Sequence, residues 1–590
     1  MHATYSTRFR LFWLFVFLSM VMGCKSVSGD RSSRVASGAS TSPSSGCLKE
    51  GLTESRNSLH SGSADARHFD VALGGDSLPA DASTDVVVVG GGLTGLTTAF
   101  RLGKQGVKAV VLEADKRVGG RVDTIRFSDC STAEAHMEEY WQRSPAFPLL
   151  KELGFVVAPE GGKLPAGTPE WKILLEDVAH SSVRLDNKIH PYHGEGDIDD
   201  YLNGIFTPEE SEAFKTWSAQ MWTEYEGLHA WHKSQDEAII NGQPNVPMPP
   251  RLEALTKISF KQFVETQRIN GKPLPRKVLE WIRVTIEPET AIEWSETSAL
   301  DGLAEFRLFL NSPDGFGERN YHVGSGNINF IRALHEEVLR RGNKVQTDSR
   351  VTEIRQDASG VTVLYSRGGV QSQVRAKYVV VTVPLYVINK IKFTPALGDE
   401  ARSAIASTRY GSYVKVHYRL NPSAAEAWKP FEEPNTYLFT LLSDSPAGSI
   451  YNVTDLQNAK GPDAKPITLT LLIHARYATK PQNGAAKSLI QMTPQEAGIH
   501  VRKAIDNLFP GISANIIDTA TYIYPTAVAY WPLEMGRSRF DDKANALRRP
   551  QGPYQRLLIG GDTTEDSHSE GAIAAAERMS KLLLRLLDKK

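Results

Sequence analysis

Cysteine is nearly absent: only Cys24, Cys47 and Cys130 occur in 590 residues. That is too few for a disulfide-built fold, and no two of them have the spacing of metal ligands. A bridge between Cys47 and Cys130 is compatible with the pattern but is not required by it. An excess of one charge is absent too, since 67 Lys and Arg against 68 Asp and Glu leave a net charge of −1. Nothing in that balance attracts nucleic acid as a bulk effect. No repeat period marks a solenoid or a propeller. The apolar run from Leu11 to Met22 is shorter than the roughly 20 residues that span a bilayer comfortably. What remains is ordinary globular composition, 41% apolar and 23% charged, long enough for about two to four compact units.

The short apolar run follows Arg8 and Arg10 and ends in Val21-Met22-Gly23-Cys24. This layout suits an export signal. A small residue before a cysteine at this place resembles the lipobox of bacterial lipoproteins, which implies cleavage, lipid on Cys24 and attachment to a membrane on the periplasmic or cell-surface side. Residues 25–83 are rich in Ser, Gly and Ala, bury too little to offset their ordering entropy, and are expected to form a flexible tether. Arg8 and Arg10 are separated by Phe9, so an export route for folded proteins is not indicated.

The stretch "DVVVVGGGLTGLTTAFRLGKQGVKAVVLEADKRVGGR", Asp85 to Arg121, carries the first chemical signal. Val86 to Val89 reads as a strand buried on both faces. Gly90, Gly92 and Gly95 then spell G-x-G-x-x-G, and a helix is expected from about Leu93 to Lys104. The first glycine permits a sharp turn, the second a close approach of backbone to a pyrophosphate, and the third tight helix–strand packing. Glu113 ends the next strand, 23 residues after Gly90, where a carboxylate can accept from ribose hydroxyls.

The segment "LEADKRVGGR" resembles the second glycine motif of the flavin-containing amine oxidases, the family of monoamine, polyamine and L-amino-acid oxidases. The resemblance implies FAD, bound without a covalent link because no cysteine follows Cys130. It also implies that Gly119 and Gly120 pass close to the cofactor and that Arg121 pairs with its pyrophosphate. "YHVGSGNINFIRALHEEVLRRGNKVQTDSRVTEIR" is similar to the family's helix-then-strand segment, which places Val351 beside the adenine. "VINKIKFTPAL" is similar to the block that holds a lysine near flavin N5, here Lys390, with Lys392 as the rival in register. "LLIGGDTTEDSHSEGAIAAAERMSKLLL" resembles the family's final strand, turn and helix. Asp562 would accept from the ribityl chain, and the helix opened by Glu570-Gly571-Ala572 would point its positive end at the flavin.

The fold class implied is α/β, a discontinuous Rossmann-like FAD domain (84–144, 316–399 and 546–590) with an inserted α+β substrate domain (145–315 and 400–545). Tyr530 and Trp531 are expected as flavin-facing aromatics. His568 stands where monoamine oxidases carry a tyrosine of the aromatic cage; it could orient a substrate, accept a proton or cap the last helix. The plainest departure is "TAEAHMEEYW", where His136-Met137 replaces small residues expected at the flavin edge. His136, Glu138 and Glu139 are candidates for contact with a cationic amine. For an amino-acid substrate Arg283, Arg307 and Arg537 are candidate carboxylate partners. No metal is implied. The leading expectation is an amine or amino-acid oxidase that passes a hydride equivalent to FAD and electrons on to dioxygen. The alternatives are a flavin desaturase acting on a C–C bond, and a flavin-binding surface protein without turnover.

Overall fold

The computed structural model describes residues 66–69, 78–79, 82–158, 165–176, 181–193, 198–313, 315–317, 319–431, 436–454, 466–482 and 484–588. The apolar run before Cys24, Cys24 itself and Cys47 lie outside the described residues. Cys130 is disulfide-bonded. No helix among the described residues is long and apolar enough to cross a membrane.

The four-valine run forms the end of the strand Ser83–Val89, and each of Val86 to Val89 is at most 3% exposed. Alternation sends Val86 and Val88 to one face of the sheet and Val87 and Val89 to the other. An unbroken apolar strand is stable only where both faces are covered. The first face is covered by the helices Leu93–Lys104, Ile328–Arg340 and Ser569–Asp588, whose apolar sides include Leu96, Phe330, Ile331, Leu334, Ile573 and Met579. The second face is covered by Leu385, Ile388, Ala404, Leu547 and their neighbours.

Ser83–Val89 pairs in parallel with Ala109–Leu112 on one side and with Val370–Val381 on the other. Lys344–Gln346 extends the sheet beyond Ala109–Leu112, also in parallel. The 12-residue strand Val370–Val381 has two partners on its far side. Val379 to Val381 pair in parallel with Leu557–Ile559, and Val370 to Ala376 pair antiparallel with Val361–Arg367. From there the sheet runs through Ser349–Gln356 to the edge strand Lys392–Thr394. Eight strands from three separated stretches of chain thus share one sheet.

A second, seven-stranded sheet is built from residues 182–190 and 409–530, with Arg409–Leu420 and Ile516–Tyr530 as its longest pair. Helices from 198 to 306 pack as a separate apolar cluster around Trp217, Trp281 and Phe306. The longest, Pro208–Ile240, starts with a capping box in which the side chains of Thr207 and Glu210 satisfy each other's backbone amides. It touches the C-terminal helix through a buried ionic knot. Glu565 accepts from Arg548 (2.8 Å) and Arg578 (2.7 Å), and Arg548 also donates to Asp236 of the long helix.

Removing one member of a buried ion pair strands the other charge. Glu565→Gln would leave Arg548 and Arg578, both about 2% exposed or less, to share Asp236 alone as a charged partner. We expect a loss of about 3–5 kcal/mol, read as a lowered denaturant midpoint with an unchanged slope.

Candidate active site

The turn after Ser83–Val89 is made from backbone alone. Gly90 has φ +107°, where an L side chain is strained. A Cβ on Gly95 would lie 1.9 Å from the Gly90 carbonyl oxygen, so only glycine lets the helix start against the strand. The second glycine loop folds back on the first. The Gly119 amide donates to the Gly91 carbonyl (2.9 Å), and a Cβ on Gly120 would sit 3.3 Å from the Gly92 Cα. The helix Leu93–Lys104 begins at Gly92 with no side-chain cap, leaving first-turn amides available to an anion. Glu113 accepts from the amides of Gly91 and Asp115, both at 2.7 Å, and each oxygen keeps a second lone pair for a hydroxyl donor. Burial raises its pKa.

Arg121 reaches across to the other end of the chain. Its Nη2 lies 2.5 Å from Asp562 Oδ1, and its Nη1 donates to the Ala527 carbonyl (3.0 Å). Asp562 Oδ2 is buried with no hydrogen-bond partner. The glycine cradle, the uncapped helix start, Glu113 and this unsatisfied oxygen fit a dinucleotide: phosphates at the backbone amides, hydroxyls at the carboxylates. Val351 is 7% exposed and packs with Leu112 and Val89 at the same end of the sheet.

The loop that departs from the family pattern is accommodated by unanticipated contacts. Lys415, 2% exposed, donates to the carbonyls of Glu134 (3.1 Å) and His136 (2.5 Å) and to Glu138 Oε1 (2.7 Å). The His136 ring turns onto Asp123 (3.6 Å) and Tyr524 (4.2 Å between centroids), while Met137 packs on the nucleotide-domain core. Asp123 also holds His68 (3.0 Å) and Arg117 (3.2 Å), and the Arg117 charge, with hydrogen bonds to His136 and His68, keeps its carboxyl far below the usual range despite burial. Glu139 accepts from Asn320 (2.7 Å).

His568 occupies the turn before the C-terminal helix, inside a dense charge network. Its Nδ1 lies 3.2 Å from Glu305 Oε2 and its Nε2 3.5 Å from Glu289 Oε2. Arg539 binds Glu305 (2.5 Å) and Asp566 (3.2 Å), and Arg307 binds Asp566 (2.7 Å). Burial disfavours the imidazolium, but Glu305, Glu289 and Glu570 outweigh it and raise the His568 pKa to about 10. Burial also lifts Glu289 to about 7; His568 opposes this shift, and Glu305 and Glu570 add to it. Glu305 goes the other way: burial is overcome by Arg539 and His568, and its carboxyl stays well below the ordinary value. Glu289 and His568 keep 20% and 27% of their side-chain surface accessible, against 1% for Glu305. They are therefore the face that the network shows to a ligand. Tyr413 donates to the Pro288 carbonyl beside Glu289, and Tyr451 feels the Glu289 charge from a neighbouring strand.

Among the described residues two groups have His and carboxylate atoms close enough to hold a metal ion, His232–Asp236–Glu565 and Glu305–Asp566–His568. Each is interleaved with two arginines that already satisfy the carboxylates and would repel a cation.

Several expectations need correction. Trp531 does not offer a face to a ligand. It is 3% exposed within the apolar layer of Ile388, Ala544 and Leu547, with the Arg537 guanidinium 5.0 Å above its ring. Tyr530 is the last residue of its strand, opposite Arg409, and lies near Glu296 and Glu534 rather than His568. The chain turns into the core after Tyr530, so Trp531 is spent on packing while Tyr530 stays half-buried at the strand end. Lys390 is exposed in the turn before the edge strand and joins none of the residues around His568, while Lys392 pairs with Glu353 (3.2 Å). Of the arginines considered for a substrate carboxylate, Arg283 is bound to Glu280 and Glu287, Arg307 to Asp566, and Arg537 to Asp541. The sequence reading missed Glu289, Glu305, Lys415 and Arg539. Only Glu305 left a trace, as one of two acids four apart on the otherwise apolar helix Ala299–Phe306.

A family model described as flavin containing amine oxidoreductase matches residues 93–584. Among curated proteins, a nicotine dehydrogenase of Pseudomonas putida is 22% identical over 85% of this chain and 89% of its own length. Polyamine oxidase 4 of Oryza sativa is 23% identical over the same shares. A probable flavin-containing monoamine oxidase A of Dictyostelium discoideum is 26% identical over 56% of this chain and 64% of its own. Among solved structures, a putrescine oxidase with putrescine bound superposes with TM-score 0.60 at 18% identity, covering 86% of this chain and all of that one. Cyclohexylamine oxidase from Brevibacterium oxydans gives TM-score 0.58 at 18% identity, covering 86% and 99%.

Gly95→Ala should abolish the yellow colour of the purified protein, because the Gly90 carbonyl has nowhere to move without opening the turn. Lys415→Met, a near-isosteric swap, should keep the fold and loosen the loop 134–138. Flavin retention on dilution and protease cleavage of that loop report the two effects separately.

Proposed function

This chain belongs to the flavin-containing amine oxidoreductases, and from that premise we propose that it is an exported, lipid-anchored FAD enzyme that oxidises a cationic amine and passes the electrons to dioxygen. It binds FAD and is an amine-oxidising flavoprotein of that family. The observation that carries the choice of amine over amino acid is the charge around His568. Each arginine considered for a substrate carboxylate is paired with a carboxylate of the protein, while Glu289 presents an accessible one.

Bound FAD supplies the acceptor for a hydride equivalent from the carbon that bears nitrogen. The chain supplies the rest. The glycine turn and the first-turn amides would hold the pyrophosphate, Glu113 the ribose hydroxyls, and Asp562 the ribityl chain. Arg121 holds Asp562 in place, which shifts its role from the pyrophosphate contact expected of it to orientation of that acid. The N-terminus of Ser569–Asp588 offers a positive dipole end next to His568. Tyr413 and Tyr451 flank the Glu289 side of this region, and burial pushes both phenols well above their ordinary pKa, so they stay neutral.

Three features support export and anchoring: the basic-then-apolar leader, the Gly23-Cys24 pair, and a disulfide at Cys130, since such bonds persist in oxidising compartments. A cationic residue near the membrane surface is not needed for this attachment.

Anaerobic titration tests the substrate class. Primary or secondary amines should bleach the flavin and, on admission of air, yield peroxide; amino acids should leave the spectrum unchanged. Bleaching by an amino acid, and by no simple amine, would reverse the choice. Cys24→Ser should move the protein from the membrane fraction to the soluble one and stop incorporation of labelled fatty acid.

A further inference from the structure

We propose that Glu289, held against His568, receives the ammonium group of the substrate and takes its proton. This rests on the reading of the substrate as a cationic amine and adds a step to it. Hydride leaves readily only from a neutral amine, because the nitrogen lone pair must stabilise the carbon that loses it. An ordinary alkylamine arrives as ammonium, so something in the site must accept a proton.

Glu289 has the position for that task. It sits at the end of the helix Arg276–Thr290, next to the backbone carbonyl that receives the Tyr413 hydroxyl, with its Oε2 3.5 Å from His568 Nε2. The groups that face it are His568 before the C-terminal helix, Glu570 within that helix, Glu305 on Ala299–Phe306, Arg307 beyond it, and Tyr413 and Tyr451 on two strands of the second sheet. The other acids of the network are already committed: Glu305 is bound by Arg539 and Asp566 by Arg307 and Arg539. Glu570 is a second, independent sign of a ligand. It is 5% exposed, its Oε1 has no hydrogen-bond partner, and its charge acts on both Glu289 and His568. A buried oxygen without a donor is a site waiting for one.

The energetics suit a transfer. Glu289 titrates at about 7, far above a solvated carboxyl. Burial among aromatic side chains lowers the pKa of an incoming ammonium, and the His568 imidazolium beside it lowers it further. Donor and acceptor are thereby brought toward each other. In the step, one N–H bond of the ammonium breaks and its electron pair stays on nitrogen as the lone pair. The proton forms an O–H bond on Glu289, which passes from carboxylate to carboxylic acid. Nothing is oxidised or reduced. Because the charged form of Glu289 is the active one, the step is lost as pH falls through about 7 and present above it.

Two measurements on FAD-loaded protein test this. The second-order rate of flavin reduction by a reactive amine (limiting rate over apparent Kd), followed by stopped flow, should rise with pH through about 7 in the wild type. Glu289→Gln should keep a native flavin spectrum, lose that limb and reduce about a hundredfold more slowly at pH 8, and Glu289→Asp should restore the limb with part of the rate. Calorimetric binding of tert-butylamine, which has no hydrogen on the carbon that bears nitrogen, should tighten through the same pH range in the wild type and be weaker and flat in Glu289→Gln. A reduction profile unchanged in Glu289→Gln overturns the proposal. A wild-type flavin that no amine reduces defeats the amine reading itself, and the binding arm then decides for Glu289: an affinity independent of pH overturns its role as well.

Discussion

The strand Val370–Val381 is the constraint on which the arrangement depends. One of its edges is taken over Arg375 to Val381 by Ser83–Val89, and Val379 to Val381 on the other edge are taken by Leu557–Ile559. Two pieces of chain almost 470 positions apart are thereby fixed on either side of one strand, and the turns that follow them open at the same end of the sheet. The Arg121–Asp562 ion pair is a result of this register. With Val380 and Val381 fully buried, a slip of one residue would exchange the two apolar faces and cost far more than any single polar contact could restore.

Around that frame the charges are sorted by accessibility. Glu565 with Arg548 and Arg578 is sealed and ties the C-terminal helix to Pro208–Ile240. Glu305 with Arg539 is sealed as well, but it supports His568, which is not. Glu305 and Glu565, each held by buried guanidinium groups, are kept below the ordinary carboxyl value despite burial, whereas Glu289, whose nearest cation is an imidazolium at 3.5 Å, is lifted by burial to about 7. The same residue type thus does structural work in one position and becomes titratable in the next, and the difference lies in how many cations each can reach.

Local patterns in the sequence carried far. Four valines, three glycines at fixed spacing and the apolar side of Ala572, Ile573, Ala576 and Leu583 all reflect short-range rules, and each lies where such rules put it. The active-site charges were hidden because they come together only in three dimensions: Glu289 and His568 are 279 positions apart, and the three acceptors of Lys415 lie at 134, 136 and 138. Trp531 was misplaced for the complementary reason. Proximity in sequence to the final cofactor segment suggested the crevice, but the chain leaves its strand at Tyr530 and buries the indole under Arg537. The bulk of His136 and Met137 was legible as an anomaly; its resolution needed a lysine from a strand of the other sheet.

The discontinuous sheet also bears on when the enzyme can become whole. Polypeptides leave the ribosome from the amino end, and the pieces that close the crevice, Leu557–Ile559, Asp562 and the helix Ser569–Asp588, are made after every other strand of this sheet. Until they have been made, the glycine turn has no opposing wall and Arg121 has no acid to meet. Capture of the nucleotide therefore waits for these late segments, and a chain threaded outward before they are made would have to meet its FAD on the far side.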